Sequence, residues 1–182
     1  MQQVTTKRFG NIPANEEHFI RFKDGMIGMS VLKQYILVES SSYPLILWLQ
    51  SCQDPGIAFP VMEPAFFKRD YKIHMTDADR ACLKFEAGDR IKYFVVMTIP
   101  DNIEDMTVNL KAPVAINLDK GTATQVILQD KDLQVRTPAY ADFVKVVAQI
   151  SDESNDFALS EEESWAPVSI TGRETELLEA AV

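Results

Sequence analysis

The stretch from Asp105 to Leu128, DMTVNLKAPVAINLDKGTATQVIL, constrains the fold more than any other part of the chain. Its even positions from 106 to 118 are all apolar: Met106, Val108, Leu110, Ala112, Val114, Ile116 and Leu118. Its odd positions from 105 to 119 are polar or small, among them Thr107, Asn109, Lys111, Pro113 and Asn117. Alternation with period two is the pattern of a strand that shows one face to a core and the other outward. Fully extended, the run would reach about 45 Å, beyond the usual strand. The spacing therefore predicts a bend at Ala112-Pro113, because proline cannot donate to a strand ladder. Asp119-Lys120-Gly121 supplies turn chemistry, and Gln125–Leu128 is expected to return as the next strand. A long strand that bends while keeping its core side suits a small, curved, closed or nearly closed sheet.

The rest of the chain is consistent with an all-β fold with minor α, a small antiparallel barrel. Val4–Phe9, His18–Phe22, Tyr35–Glu39, Leu45–Gln50, Ile57–Met62 and Ile91–Ile99 read as strands. Gly25-Met26-Ile27-Gly28-Met29 reads as a tight loop tucked onto the core. Phe66 to Tyr71 reads as a helical turn after Pro64. Thr76 or Asp77 reads as the N-cap of a short helix running to about Phe85. Beyond the barrel, Thr137 with Pro138 at the first helical position starts a second helix. Its apolar face is Tyr140, Phe143, Val144, Val147 and Ile150. The expected division is a barrel domain over residues 1–136 and a C-terminal extension over 137–182, with 151–172 mobile. Thr171-Gly172-Arg173-Glu174 matches a capping box ahead of Leu177 and Leu178.

Charge narrows the partners. The chain carries −9, and residues 152–182 hold nine carboxylates against Arg173 alone, a balance of −8 that leaves −1 for the first 151 residues. A chain without a basic surface is a poor direct ligand for nucleic acid. No apolar run reaches the roughly 18 residues of a membrane span, and the start carries no secretory signal pattern, so a cytoplasmic protein is expected. Cys52 and Cys82 lack metal or redox spacing and read as reduced thiols. His18 and His74 are isolated, and Asp77, Asp79 and Glu86 read as a solvated helix start. No catalytic, cofactor or metal residue is assigned. The candidate contact residues are Phe66, Phe67 and Tyr71 beside Lys68 and Arg69, the outward row Asn109, Lys111, Pro113 and Asn117, and Trp165 within the acidic tail. Phe157, Trp165, Leu177 and Leu178 space that tail with apolar anchors, the composition of a segment that orders on a partner.

Several motifs, taken in order, resemble the FliW family of bacterial flagellar assembly factors over about Thr5 to Pro138. They are Arg8-Phe9-Gly10, Phe22-x-x-Gly25 with Gly28, Leu49-Gln50-Ser51, Ala58-Phe59, Pro64 with Phe67 and Tyr71, Asn109-Leu110-Lys111-Ala112-Pro113, and Gln125-Val126-Ile127-Leu128. A turn that reads Gly-hydrophobic-Pro-Gly-Phe in the family reads Gly25-Met26-Ile27-Gly28-Met29 here. The resemblance implies a non-enzymatic barrel, monomeric when free, that binds two proteins in exchange. One is flagellin before export. The other is CsrA, a translational repressor of the flagellin message, which the flagellin-free protein antagonises. The alternative class is a barrel that binds a ligand or catalyses in its cavity. That class calls for inward polar or acidic residues, whereas the inward parity is Val, Leu, Ile and Met.

Overall fold

The computed structural model describes residues 2–41, 45–153 and 164–170. The chain opens with a hairpin, β1 (Gln2–Thr5) and β2 (Asn11–Ala14), paired antiparallel. Its turn is closed by Thr6, whose N and Oγ1 both donate to the carbonyl of Gly10 at 2.9 Å while Oγ1 accepts from Phe9 N at 2.8 Å. Sequence reading placed one strand over Val4–Phe9. The chain instead folds back at Gly10, which sits at φ +70°, so that Ile12 joins Val4 and Phe9 in the core.

Seven strands close the barrel: β3 (Phe19–Phe22), β4 (Gln34–Ser40), β5 (Leu47–Ser51), β6 (Ala58–Met62), β7 (Ile91–Thr98), and then β9 (Val114–Asn117) and β10 (Thr122–Gln125). Neighbours run β3-β4-β5-β6-β7-β9-β10, and β10 returns to β3 in the one parallel pairing among these strands. The strand between, β8 (Thr107–Val108), pairs with β7 beyond the end of β9. The barrel interior is packed by apolar side chains that include Ile20, Phe22, Leu37, Leu49, Phe94 and Ile116, with Tyr35 among them.

The stretch from Asp105 to Leu128 does bend, but it also breaks. Val108 ends a two-residue strand. Asn109 Oδ1 then accepts from the backbone N of Lys111 at 3.1 Å and of Ala112 at 3.0 Å, turning the chain before β9 begins. The even positions stay buried as the alternation requires. The odd positions do not form a solvent face: Pro113, Ala115 and Asn117 are buried as well. The reason is a second apolar cluster outside the barrel wall, in which Leu83, Met106, Val126, Leu128 and Leu133 cover Ala115, Val95 and Met97. A wall covered on both sides hides both parities. The return strand is also placed earlier than expected, at Thr122–Gln125. Val126 and Leu128 continue it through bonds to Pro113 O at 2.8 Å and Lys111 O at 3.0 Å.

Helix α1 (Asp77–Cys82) is capped by Thr76, whose Oγ1 accepts from Asp79 N at 3.2 Å while Asp79 Oδ2 accepts from Thr76 N at 2.8 Å. Thr137-Pro138 does not start a helix. It forms β11 (Thr137–Pro138) on the outer edge of β8, where a missing N–H is tolerated, and α2 (Tyr140–Glu153) follows. The predicted apolar face of α2 is split: Tyr140 and Phe143 pack on the second cluster, whereas Val144 and Val147 face out, and the buried helical valine is Val146, outside that face.

The C-terminal part holds a further correction. Residues 164–170 belong to the barrel body. Strand β12 (Trp165–Pro167) pairs antiparallel with β4, and Ile170 is fully buried in the barrel core with its N bonded to Glu17 O at 3.1 Å. The expected anchors Phe157, Leu177 and Leu178 and the capping box at Thr171 lie outside the described residues.

A candidate partner-binding surface

Five of the eight candidate contact residues gather on one side of the barrel. Pro64 starts a 3-10 turn (Pro64–Phe66), turns continue to Asp70 with Tyr71 N bonded to Lys68 O, and residues 71–76 lead on to α1 without regular structure. Phe66, Phe67 and Tyr71 lie half-buried on the second cluster, beside Leu110, Leu128 and Phe143. Tyr71 Oη donates to the carbonyl of Leu110, tying this segment to the Asn109 turn, and burial pushes the Tyr71 hydroxyl pKa well up. Lys111 lies in that turn, with Nζ donating to the carbonyl of Asp130. The three aromatics are thus partly core. Their substitution would act on packing as well as on contact.

The other three sit elsewhere. Pro113 is buried, and its carbonyl accepts from Val126 N. Asn117 is fully buried, so neither it nor Pro113 stands in an outward row. Asn117 Nδ2 donates to Leu83 O and to Asp89 Oδ2, and Oδ1 accepts from the backbone N of Asp119 and Lys120. Every polar atom of the side chain is spent on the fold. Trp165 packs on Phe9 with ring centroids 4.5 Å apart and ring planes tilted by 47°, and Phe9 also meets Trp48 at 5.6 Å. It is half-buried against the N-terminal hairpin rather than carried on a tail.

Other motif residues build loops. Gln50 Nε2 donates to the carbonyls of Ser51, Asp54 and Ile57, and Ser51 Oγ accepts from Gln53 N and Asp54 N, which fixes the turn between β5 and β6. Gln125 Oε1 accepts from Ile27 N at 3.1 Å and its Nε2 donates to Ala112 O at 3.0 Å, so one amide joins the glycine loop to the bend. Gly25 is required there: at φ +75°, a Cβ would stand 2.7 Å from Ser30 Cα.

The exposed apolar residues that sequence reading missed lie along α2 and the nearby loop. Val144 is 45% exposed, Val147 39%, and Ile103 44%, on a 3-10 turn (Ile103–Asp105) that packs against α2. The signal was present in the sequence. Phe143 and Val146 form one helical stripe and Val144 and Val147 an adjacent one, and only the first is covered by the body of the protein. Among the described residues, no group of His, Cys, Asp and Glu is placed to hold a metal ion. Burial holds the Cys52 thiol pKa up, to about 12, far from the range of a reactive thiolate. No helix among the described residues is long and apolar enough to cross a membrane.

This barrel has known counterparts. A model of the FliW protein family matches residues 3–139. The flagellar assembly factor FliW of Bdellovibrio bacteriovorus is 40% identical over 146 residues, covering 80% of this chain and 83% of that one. The flagellar assembly factor FliW of Caldanaerobacter subterraneus subsp. tengcongensis is 36% identical over 138 residues, covering 75% and 91%. A crystal structure of the flagellar assembly factor FliW superposes with a TM-score of 0.70 at 28% identity, covering 76% of this chain and 97% of that one. A seven-strand barrel whose wall is covered on both faces, with the Asn109 bend and the Gln125 return in the matched region, therefore belongs to the FliW family of flagellar assembly factors, proteins that act by binding other proteins and are not enzymes.

Proposed function

We propose that this protein binds flagellin in the cytoplasm as a monomer and, when free of flagellin, binds and antagonises a CsrA-type translational repressor, so that flagellin translation resumes. Family membership supports an assembly role. The observation that carries a protein-binding reading is the exposed aliphatic set Ile103, Val144 and Val147 along α2. Apolar residues grouped on a surface lose solvent contact when a partner covers them. An amphipathic helix of flagellin is the occupant this surface suits, with its own apolar face turned to α2. Phe66, Phe67 and Tyr71, with Asn109 and Lys111, frame the same side of the barrel and give it rigidity. The filled barrel interior argues against the cavity-binding or catalytic alternative.

Co-purification with flagellin and with the repressor, each tested separately, is the direct experiment. Calorimetry with flagellin should show a complex with negative heat-capacity change, the mark of buried apolar surface. The repressor should be held by the flagellin-free protein and be released from its RNA. No heat and no co-elution with either protein at tens of micromolar would remove this reading.

A further inference from the structure

A groove of about 730 Å³ lies on a different part of the barrel, between β3, the start of β4 and the end of α1. In a chain of net charge −9 it is lined by Arg21, Lys23, Lys33 and Lys84, and none of its described lining residues is a carboxylate. Arg21 pairs with Glu16, and Asp24, at the margin, accepts from the Cys82 thiol at 3.5 Å. Lys23 and Lys84 make no ion pair among the described residues. The local charge is therefore opposite to that of the whole molecule.

The loop from Lys23 to Lys33 rises beside this groove and is unusually well fastened. Phe22 N donates to Lys33 O at 2.8 Å and Lys33 Nζ to Lys23 O at 2.9 Å, closing its base. Met29 N bonds Met26 O, Met26 is buried in the barrel core, and Gln125 holds Ile27 N. On this fixed frame Ile27 is 60% exposed and Val31 77%. Aliphatic side chains carried by a fastened loop whose two ends, Lys23 and Lys33, line the groove combine the two halves of a docking site: an apolar anchor point and a charged cradle.

We propose that this groove and loop bind an acidic segment of a partner protein, with the segment's carboxylates on Lys23, Lys33 and Lys84 and an aliphatic residue on Val31 and Ile27. The site is separate from the α2 surface and does not depend on flagellin as the partner there. Charge complementarity selects the occupant. A nucleic acid suits it less, because the one aromatic ring in the groove, Phe22, is buried and gives no platform for a base.

The test uses the full chain and three probes: a labelled peptide of alternating glutamate and leucine, the same peptide with glutamine for glutamate, and a single-stranded RNA of similar charge. Fluorescence anisotropy at low salt should show binding of the acidic peptide alone, weakening as salt is added. The double variant Lys23→Glu/Lys84→Glu should weaken it roughly tenfold, since two exposed attractions become repulsions. Val31→Asp should weaken it as well. All three positions are at the surface, so thermal melts should match the parent, and Val31→Ser serves as a milder variant if they do not. Absence of peptide binding, binding that survives the charge reversal, equal binding of the glutamine peptide, or binding of RNA in preference to peptide would each overturn the proposal.

Discussion

The side-chain amide of Asn117 donates to the backbone carbonyl of Leu83 at 3.1 Å, joining the end of β9 to the residue that follows α1. Thr122 Oγ1 donates to the same carbonyl at 2.6 Å, and Asp89 Oδ2 receives the second amide hydrogen of Asn117 at 2.8 Å. Leu83 is fully buried, so this small polar knot holds the helix over the barrel wall. Asn117→Asp keeps the acceptor side of the residue and turns its donor side into an oxygen facing a carbonyl and a carboxylate. The variant should lose about 2–4 kcal/mol, the range for a buried polar group left against like partners. Ile116→Asp, one residue earlier in the barrel core, should be at least as harmful. Urea midpoints at constant slope test both, and a parent-like midpoint for Asn117→Asp would show that the knot does not hold α1.

Acid should loosen the same knot. Glu86 N and the Asn117 amide both donate to Asp89 Oδ2, and these bonds, in that order, lower the Asp89 pKa. Asp119 is also lowered, first by its hydrogen bonds to the Arg90 side chain and backbone. A carboxylate with a depressed folded-state pKa contributes stability that is present above its unfolded value, about 3.9, and is lost as pH falls through the folded value. Stability measured by denaturant should therefore fall below about pH 4. Asp89→Asn should start lower at neutral pH and show a flatter decline. An unchanged slope in that variant would place the acid sensitivity elsewhere.

Ile170 is the end of the chain's return to the barrel, and its Cδ1 lies where a Cβ on Gly121 would meet it at 3.6 Å. It fills the core between β3 and β10, so Ile170→Ala should cost about 2–4 kcal/mol by cavity formation. Trp165→Ala should cost less, because the ring is only half-buried, but it removes the tilted ring contact with Phe9. With Trp48 and Trp165 the only tryptophans, the fluorescence change on unfolding reports this corner directly. A chain ending before residue 164 should melt well below the parent, and an equal melting temperature would mean that β12 adds nothing to the barrel.

The parts of this fold that are encoded locally could be read in advance. The β4–β5 hairpin, the doubly apolar β7 and the Thr76 cap each rest on neighbouring residues. What failed depended on cover from a distance. Pro113 and Asn117 have the sequence of an outward row, and nothing nearby in the chain says that Leu83 and Val126 will close over them. Strand β12 is three residues, one of them proline, in an acid-rich region, and only its pairing with β4 gives it a structure. The aromatic group at Phe66, Phe67 and Tyr71 was recognised by composition, but composition does not separate a hot spot from a second core. The exposed face of α2 was misread for the same reason: two adjacent apolar stripes compete, and only the barrel surface decides which one is covered.

That exposed stripe gives the sharpest test of the proposed role. Ile103 and Val144 lie on adjoining elements, and both present aliphatic side chains to solvent. Aspartate at either position costs the free protein little, because the new charge stays hydrated. In a complex that covers the stripe, the same charge must be desolvated without a partner, at a cost of several kcal/mol. Ile103→Asp/Val144→Asp should therefore melt like the parent and bind flagellin about a hundredfold more weakly, mainly through faster dissociation. Lys23→Glu, on the far groove, should leave flagellin binding unchanged and serves as the control for surface charge. Surface-based kinetics with purified flagellin read both rates. If the double variant binds with parent rates while the complex itself forms, flagellin does not sit on α2, and the aromatic side around Phe66 and Tyr71 becomes the surface to dissect.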